Sequence, residues 1–581
     1  MANILNLFKT KFKSHPTSTP KSASTNFFSH PFVLAAISGV MVGTSYIPFK
    51  GWALFFCYVP LWIASLKLVL SGASYRKIFF TGWITQFVLT LIGFNWIFYT
   101  ASEFGQLHWS ISLGALLLYA TLVHIYLPLS IVLTAWLTRR YKILSAFHIF
   151  IILGLSLALL ERAWPSIFEW NLGYVLLWMK WPMFQWADTI GFWGLSTVIL
   201  IFQACVAYAV WMYKINRGQF LITFSSVIAI LIILNVIGYY KEEKWKKTDS
   251  SVHFAIAQGS VGNTEKIQSE QGNQFHPYIL QLYTDLSQDL YLRSPQTELI
   301  LWPETALPFP LDRSFSEGTV QRKLSDFLLQ TGRPILTGAY SVDPTRQDHL
   351  GYNIIRNSFF YMGADGKSLA PNYNKSNLLI FGEYMPLGEQ FPFLYKLLPF
   401  VGTYERGPGP TVETVHLKDK NINIGPQICY ESLDPGFSRS LAKKGVQIII
   451  NVTNDSWFGW WAEPYQHMIM TLARGVETRR PLIRATNTGI STAILADGEI
   501  LQMSPIDQKW AHTFEIAFQK KPSQSFYTLI GHFDWILWTF IWILFFYLGT
   551  QTPPDVPKPS RPIQSDKSLE TENKDNEHVS H

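Results

Sequence analysis

Charged residues are scarce in this 581-residue chain: Asp, Glu, Lys and Arg make up 15% of it, against about 25% in an ordinary soluble protein. The shortage is local. It falls on the first 240 residues and on a stretch near residue 540, while residues 251–519 carry a normal mixture, so a wholly soluble chain is excluded. Cysteine is scarcer still, with three residues, Cys57, Cys205 and Cys429. The first two lie inside apolar runs, so no disulfide framework is available even in an oxidising compartment. A basic stripe is also missing. The formal net charge is +7, but Lys and Arg gather at the ends of apolar runs, which excludes a nucleic-acid footprint. Residues 1–30 lack the apolar core and cleavage site of a secretory signal, so the first apolar run is expected to stay as an anchor.

What is present is a series of membrane-length segments. A hydrocarbon core of about 30 Å needs roughly 20 apolar residues of helix. Seven runs before residue 240 qualify or come close: Phe32–Pro48, Trp52–Leu70, Ile78–Tyr99, Ile111–Leu137, Ile143–Leu160, Trp193–Met212 and Phe220–Tyr239. An eighth is Ile530–Leu548. Basic residues alternate between the loops: Lys9, Lys11, Lys13 and Lys21, then Arg76 and Lys77, then Arg139, Arg140 and Lys142, then Lys214 and Arg217. By the positive-inside rule these loops are cytoplasmic. The expected organisation is a cytoplasmic tail over 1–30, a seven-helix membrane domain over 31–240, an external domain over 251–519, a returning helix over 530–548 and a disordered cytoplasmic tail over 551–581.

Within 251–519, short β-rich runs recur at Phe254–Ala257, Leu299–Trp302, Pro334–Thr337, Ser358–Tyr361, Ile422–Ile428, Val446–Val452 and Ile490–Leu495. Helical stretches at Pro277–Leu292 and Glu463–Arg479 lie between some of them. Strands alternating with helices predict a layered α/β domain.

Three segments place a reactive side chain just after a buried strand, where such folds present their chemistry. ELILWPETALP carries Glu304, NYNKSNLLIFGEYMP carries Lys375 and Glu383, and NINIGPQICYES carries Cys429, Tyr430 and Glu431. A carboxylate, an ammonium and a thiol form a sufficient set for acyl transfer through a thioester. Glu304 takes the thiol proton. Lys375 lowers the thiol pKa and faces the oxyanion, and the Tyr430 backbone N–H is a second donor. Each residue alone has a duller reading: a core thiol, a solvated lysine, a helix-capping glutamate. Their order and their surrounding strings carry the case.

Those strings resemble the nitrilase superfamily, and from about residue 31 to 548 the whole chain resembles the bacterial apolipoprotein N-acyltransferases. The resemblance also runs through GFNWIFYTASEFG, ERAWPSIFEWNLGY, NVTNDSWFG and PYQHMIMTLARGVETRRPLIRATNTGIS. It implies an α-β-β-α sandwich on a multi-span helical domain. It implies Glu304 as general base and acid, Lys375 as oxyanion partner and Cys429 as nucleophile, with Glu383, Tyr430 and Glu431 in support. The acyl donor would be a membrane phospholipid, typically phosphatidylethanolamine. The acceptor would be the α-amino group of the S-diacylglyceryl cysteine of an apolipoprotein. The enzyme would be a monomer in the bacterial inner membrane with its catalytic domain periplasmic, needing neither cofactor nor metal. One string departs from the family: QGSVGNTEKIQ has Ser260 where Asn is usual and Ile267 after Lys266 where Trp is common.

Two rival readings remain at this stage: a membrane-tethered amidase that hydrolyses a small C–N substrate, and a binding or transport protein whose nitrilase-like domain is silent. A Cys–His dyad through His467 is a lesser alternative, since spacing identifies no partner for it. Glu477, Arg479 and Arg484 are expected to form structural ion pairs. Trp457, Phe458, Trp460 and Trp461 suit either a bilayer interface or a packed core.

Overall fold

Along β1 (Ser250–Gln258) the side chains alternate between two apolar environments. Val252, Phe254 and Ile256 join a core with Leu301, Leu336, Phe359, Ile424, Ile449 and Val452. Ala255 and Ala257 face the opposite way, into a separate core with Tyr283, Ile300, Trp302 and Leu328. A strand that is apolar on both faces has to be covered on both. The computed structural model describes residues 29–555 except 167, 263–264, 266–274, 313–318, 349 and 399–400, and it supplies both covers.

The first sheet has seven strands, in the order β12 (Trp510–Phe518), β1, β2 (Leu299–Leu301), β4 (Ile335–Gln347), β5 (Asn353–Met362) and β6 (Tyr373–Asn374), with β3 (Leu307–Pro310) on β4. The second has five: β11 (Thr492–Ile494), β10 (Leu482–Thr486), β9 (Ile448–Thr453), β8 (Asn421–Ile428) and β7 (Glu413–His416). Their inner faces share one core. Helices His276–Arg293 and Thr319–Thr331 cover the first sheet, and Pro435–Lys443 and Glu463–Thr478 cover the second. This is the expected α-β-β-α sandwich. Strands β1, β2 and β4 run parallel, as do β8, β9 and β10, so their carboxyl ends share a direction within each sheet. The two ends of the domain meet: β1 and β12 pair antiparallel, with Ser250 opposite Phe518.

Each of the eight apolar runs contains helix. Among the described residues, four helices are long and apolar enough to cross a bilayer, and Tyr75–Gly93 with its continuation from Trp96, bent by 60°, makes a fifth. Helix Arg217–Trp245 leaves Leu221, Ile222, Ile232 and Ile233 more than half exposed, a surface suited to lipid. The chain is a multi-pass membrane protein. Two expected spans are shorter than the sequence suggested. Phe32–Pro48 becomes Pro31–Gly43, which stops with Thr44 as its cap, short of Pro48. Trp52–Leu70 becomes Val59–Leu70, which starts at Pro60 in its first turn. The tails 1–28 and 556–581, and Lys266 and Ile267 of the divergent loop, lie outside the described residues.

The two halves are bolted together by polar contacts. Gln466 of helix Glu463–Thr478 donates to the carbonyls of Ile47 (2.9 Å) and Gly93 (3.0 Å). Arg479 forms an ion pair with Asp188 at 2.9 Å. Glu477 accepts from the backbone N–H of Phe192 at 3.0 Å, just after Gly191 breaks helix Ala187–Met212 with a φ of 69°.

Candidate active site

Cys429 directly follows β8 and starts a short 3-10 helix, Cys429–Leu433, with a φ of 51°. A non-glycine residue in the left-handed region costs about 1 kcal/mol or more and persists only where its surroundings enforce it. The strand-to-helix turn lifts the thiol out of the sheet, and it is 9% exposed. Glu304 follows β2 through Trp302 and Pro303, and Thr305 after it also turns left-handed, at φ 45°. That loop folds tightly over β4: a Cβ on Gly338 would sit 2.7 Å from the Glu304 Cα and 2.6 Å from the Thr305 nitrogen. Lys375 directly follows β6. Gly407 lies against the Asn374 carbonyl with no room for a side chain, and its N–H donates to the Lys375 carbonyl at 2.7 Å.

The structure brings the three predicted groups together. Lys375 is buried, with its Nζ 2.8 Å from Glu383 Oε1 and 3.4 Å from Glu304 Oε1. Asn357 on β5 donates to both carboxylates, at 2.7 Å to Glu304 and 3.1 Å to Glu383. Leu379 N–H adds a bond to Glu383 at 2.8 Å. The thiol interacts electrostatically with Glu304, Lys375 and Glu383 and hydrogen-bonds with Thr453. Burial would drive the Lys375 ammonium toward neutrality, but Glu383 and Glu304 outweigh it and hold it firmly protonated.

Lys375 lowers the thiol pKa, as expected, but it is outweighed. Burial raises the Cys429 thiol, Glu304 raises it further, and the lysine offsets only part of this. The resting pocket therefore holds a neutral thiol beside a carboxylate and an ammonium, so the proton has to leave during attack.

Glu431 does not face the thiol's chemistry. Its Oε1 accepts from the Tyr373 hydroxyl (2.5 Å), the Ser376 N–H (2.6 Å), the Ser376 hydroxyl (2.9 Å) and the Asn377 N–H (3.1 Å). Its Oε2 accepts from Ile428 N–H at 2.8 Å. It is a strut between the Cys429 turn and the Lys375 segment. The Tyr430 ring packs edge-on to Phe168, 6.3 Å away, from the membrane half. Phe458 is buried against Trp96 and Phe168, whereas Trp460 is 66% exposed, so the aromatic run divides between core and surface.

Sequence reasoning missed Asn357 and Thr453. Each is a polar residue at a buried strand position, and that was the available signal. His467 does have a partner, Asp455, at 3.0 Å, and sits 3.4 Å from Glu463. The ligating atoms of this trio lie within 4.8 Å of one another. Arg484, 2.6 Å from Asp455, already places a cation there, and the trio reads as a proton-sharing charge network, not a metal seat. Thr453 donates to Asp455 at 3.3 Å and so links this network to the thiol's surroundings. The expected ion pairs are present: Arg474–Glu477 at 3.1 Å, Arg479–Asp188 and Arg484–Asp455.

Comparisons with known proteins agree with the geometry. Residues 263–516 match the family described as carbon-nitrogen hydrolase, and 38–205 match the apolipoprotein N-acyltransferase N-terminal domain. An apolipoprotein N-acyltransferase of Bdellovibrio bacteriovorus is 46% identical over 517 residues, covering 88% of this chain and 93% of the relative. One from Geobacter metallireducens is 29% identical over 523 residues, covering 87% and 92%. With both halves matched in order and nearly the full length aligned, the chain belongs to the apolipoprotein N-acyltransferase family.

Proposed function

We propose that this membrane protein moves a fatty acyl chain from a phospholipid to the α-amino group of an S-diacylglyceryl cysteine, with Cys429 carrying the chain as a thioester. The observation that carries the reading is the buried grouping of the Cys429 thiol with one cluster of Glu304, Lys375 and Glu383.

In the first step Sγ attacks the donor's ester carbonyl while Glu304 takes the thiol proton. The oxyanion is met by the Lys375 ammonium and by the backbone N–H of Tyr430. Each such donor is worth about 3–4 kcal/mol of transition-state stabilisation. The lysophospholipid leaves with the proton from Glu304. In the second step the acceptor amine attacks the thioester, Glu304 takes the amine's proton, and the thiol is regenerated as the amide forms. Glu383 and Asn357 hold Lys375 and Glu304 in register, and Glu431 holds the lysine segment to the nucleophile turn.

The donor is phosphatidylethanolamine, and the enzyme acts as a monomer. The alternation of basic loops between the apolar runs supports a reading with both termini in the cytoplasm and the catalytic domain in the periplasm, at the inner membrane. A cleft of about 560 Å³ lined by Leu378, Tyr384, Met385, Tyr395 and Arg406 adjoins the segment that bears Glu383. Nearby Leu387, Phe393 and Leu397 are all more than half exposed, a surface suited to lipid.

Incubating purified enzyme with phospholipid alone and isolating the Cys429 peptide tests the mechanism. A hydroxylamine-labile fatty acyl adduct is expected. Its absence, with turnover intact, would sink the proposal.

A further inference from the structure

Three polar side chains line up beneath the Cys429 turn. Ser432 sits in the 3-10 helix that Cys429 starts, Thr471 on helix Glu463–Thr478 and Arg484 on β10, and all three are buried. The Ser432 hydroxyl donates to the Cys429 carbonyl at 2.9 Å. Ser432 Oγ lies 2.7 Å from Thr471 Oγ1, and Arg484 Nη1 donates to Thr471 Oγ1 at 3.1 Å. A hydroxyl has one hydrogen, and a guanidinium only donates. With the Ser432 hydrogen committed to the carbonyl, the bond between the two hydroxyls has to run from Thr471. The three bonds therefore point one way, from the Arg484 guanidinium to the Cys429 carbonyl.

That carbonyl belongs to the peptide whose N–H is on Tyr430. A peptide is planar, so fixing its carbonyl fixes the direction of its N–H. The left-handed φ of Cys429, 51°, needs such an anchor to persist. A donor on the carbonyl oxygen also polarises the amide and strengthens its N–H, and a chain of bonds that starts on a cation reinforces this. Arg484 grips the segment before Cys429 as well: Nη1 donates to Asn451 Oδ1 at 2.7 Å, and Asn451 Nδ2 donates to the Gln427 carbonyl at 3.2 Å. Asp455, 2.6 Å from Nη2, holds the guanidinium in place.

We propose that Ser432, Thr471 and Arg484 are positioning residues that aim and polarise the Tyr430 N–H toward the oxyanion formed at Cys429. This rests on the acyl-transfer reading, in which that N–H is one of two oxyanion donors. The three side chains touch no substrate and move no proton. Their effect falls on the step that builds an oxyanion, and the thiol's own nucleophilicity is left alone.

The test compares two reactions of Cys429 in full-length enzyme in vesicles. Single-turnover thioester formation from phosphatidylethanolamine passes through an oxyanion, whereas alkylation by iodoacetamide is a displacement at carbon that forms none. Ser432→Ala removes the donor on the carbonyl and should lower the acylation rate about tenfold, short of the roughly 100–1,000-fold lost with a whole oxyanion donor. Thr471→Val cuts the relay while Arg484 keeps Asp455 and Asn451, and should cost about threefold. Thr471→Ser, which retains the hydroxyl, should recover most of that loss. The Ser432→Ala/Thr471→Val double variant should stay about tenfold down, because both changes act on one chain of bonds. Alkylation should remain within about twofold of the parent throughout. Acylation and alkylation falling together, acylation unchanged, or losses that multiply in the double variant would each overturn the proposal. A parent enzyme that forms no thioester on Cys429 counts against the acyl-transfer reading instead.

Discussion

Ser376 gives Glu431 both its backbone N–H, at 2.6 Å, and its hydroxyl, at 2.9 Å. The residue after the active-site lysine is thus tied to the second residue after the nucleophile, and two strand ends from different sheets become one rigid unit. Glu431→Gln keeps the shape but turns an NH2 group toward donors. The expected cost is about 2–4 kcal/mol of stability, with a lower kcat as Lys375 loosens. Thermal unfolding with single-turnover acylation checks both, and a wild-type melting temperature would refute the strut.

Cys429→Ser should remove thioester formation while leaving a folded protein in the membrane. Activity is expected to fall by about a thousandfold or more. Hydroxylamine-labile labelling by radioactive phospholipid measures it, and retained labelling at another residue would refute the assignment.

The thiol's environment predicts opposite shifts for two variants. Burial and Glu304 raise its pKa, and Lys375 lowers it. Removing a negative neighbour makes the thiolate easier to form, so in Glu304→Gln the pH midpoint of iodoacetamide alkylation should move down by about 1. Lys375→Met removes the positive neighbour and should move it up. Acyl transfer should collapse in both. Alkylation that is faster in Glu304→Gln while catalysis is lost would separate the base from the charge; unchanged midpoints in both would place the thiol elsewhere.

Gly338 is expected to tolerate no side chain. An alanine there meets the Glu304 backbone at 2.7 Å. Overpacking of this kind costs about 1–3 kcal/mol. A base displaced by about 1 Å loses up to a hundredfold in rate. Gly338→Ala with a normal kcat would show that the Glu304 loop has more freedom than its packing implies.

The parts of the site that the sequence made legible are those built locally. Cys429, Glu304 and Lys375 each follow a short apolar run, and a strand end is readable from its own residues. Asn357 was not, because its function arises from β5 lying beside β4, with Asn357 opposite Tyr340, and not from its neighbours in the chain. Arg479 and Asp188 are 291 residues apart, and no spacing rule links them. The pull of Lys375 on the thiol pKa was legible along with Lys375 itself, but the burial that outweighs it is a property of the assembled sandwich. In the membrane half, apolar length placed the helices, while two of them are shorter than their apolar runs, one of these with Pro60 in its first turn. β12 alternates buried and more exposed residues only from Phe514 to Phe518, a signal too short to stand out, and the sequence reading passed over it.

Ser250 and Phe518 stand opposite each other in the antiparallel β1–β12 pair, the first leading in from helix Arg217–Trp245 and the second leading out to helix Asp534–Gln551. A module whose inlet and outlet touch can be spliced into a host loop without moving the host's other parts. The catalytic domain therefore hangs from the helices by a single two-stranded stem, while Phe168 from the helical half closes one of its walls.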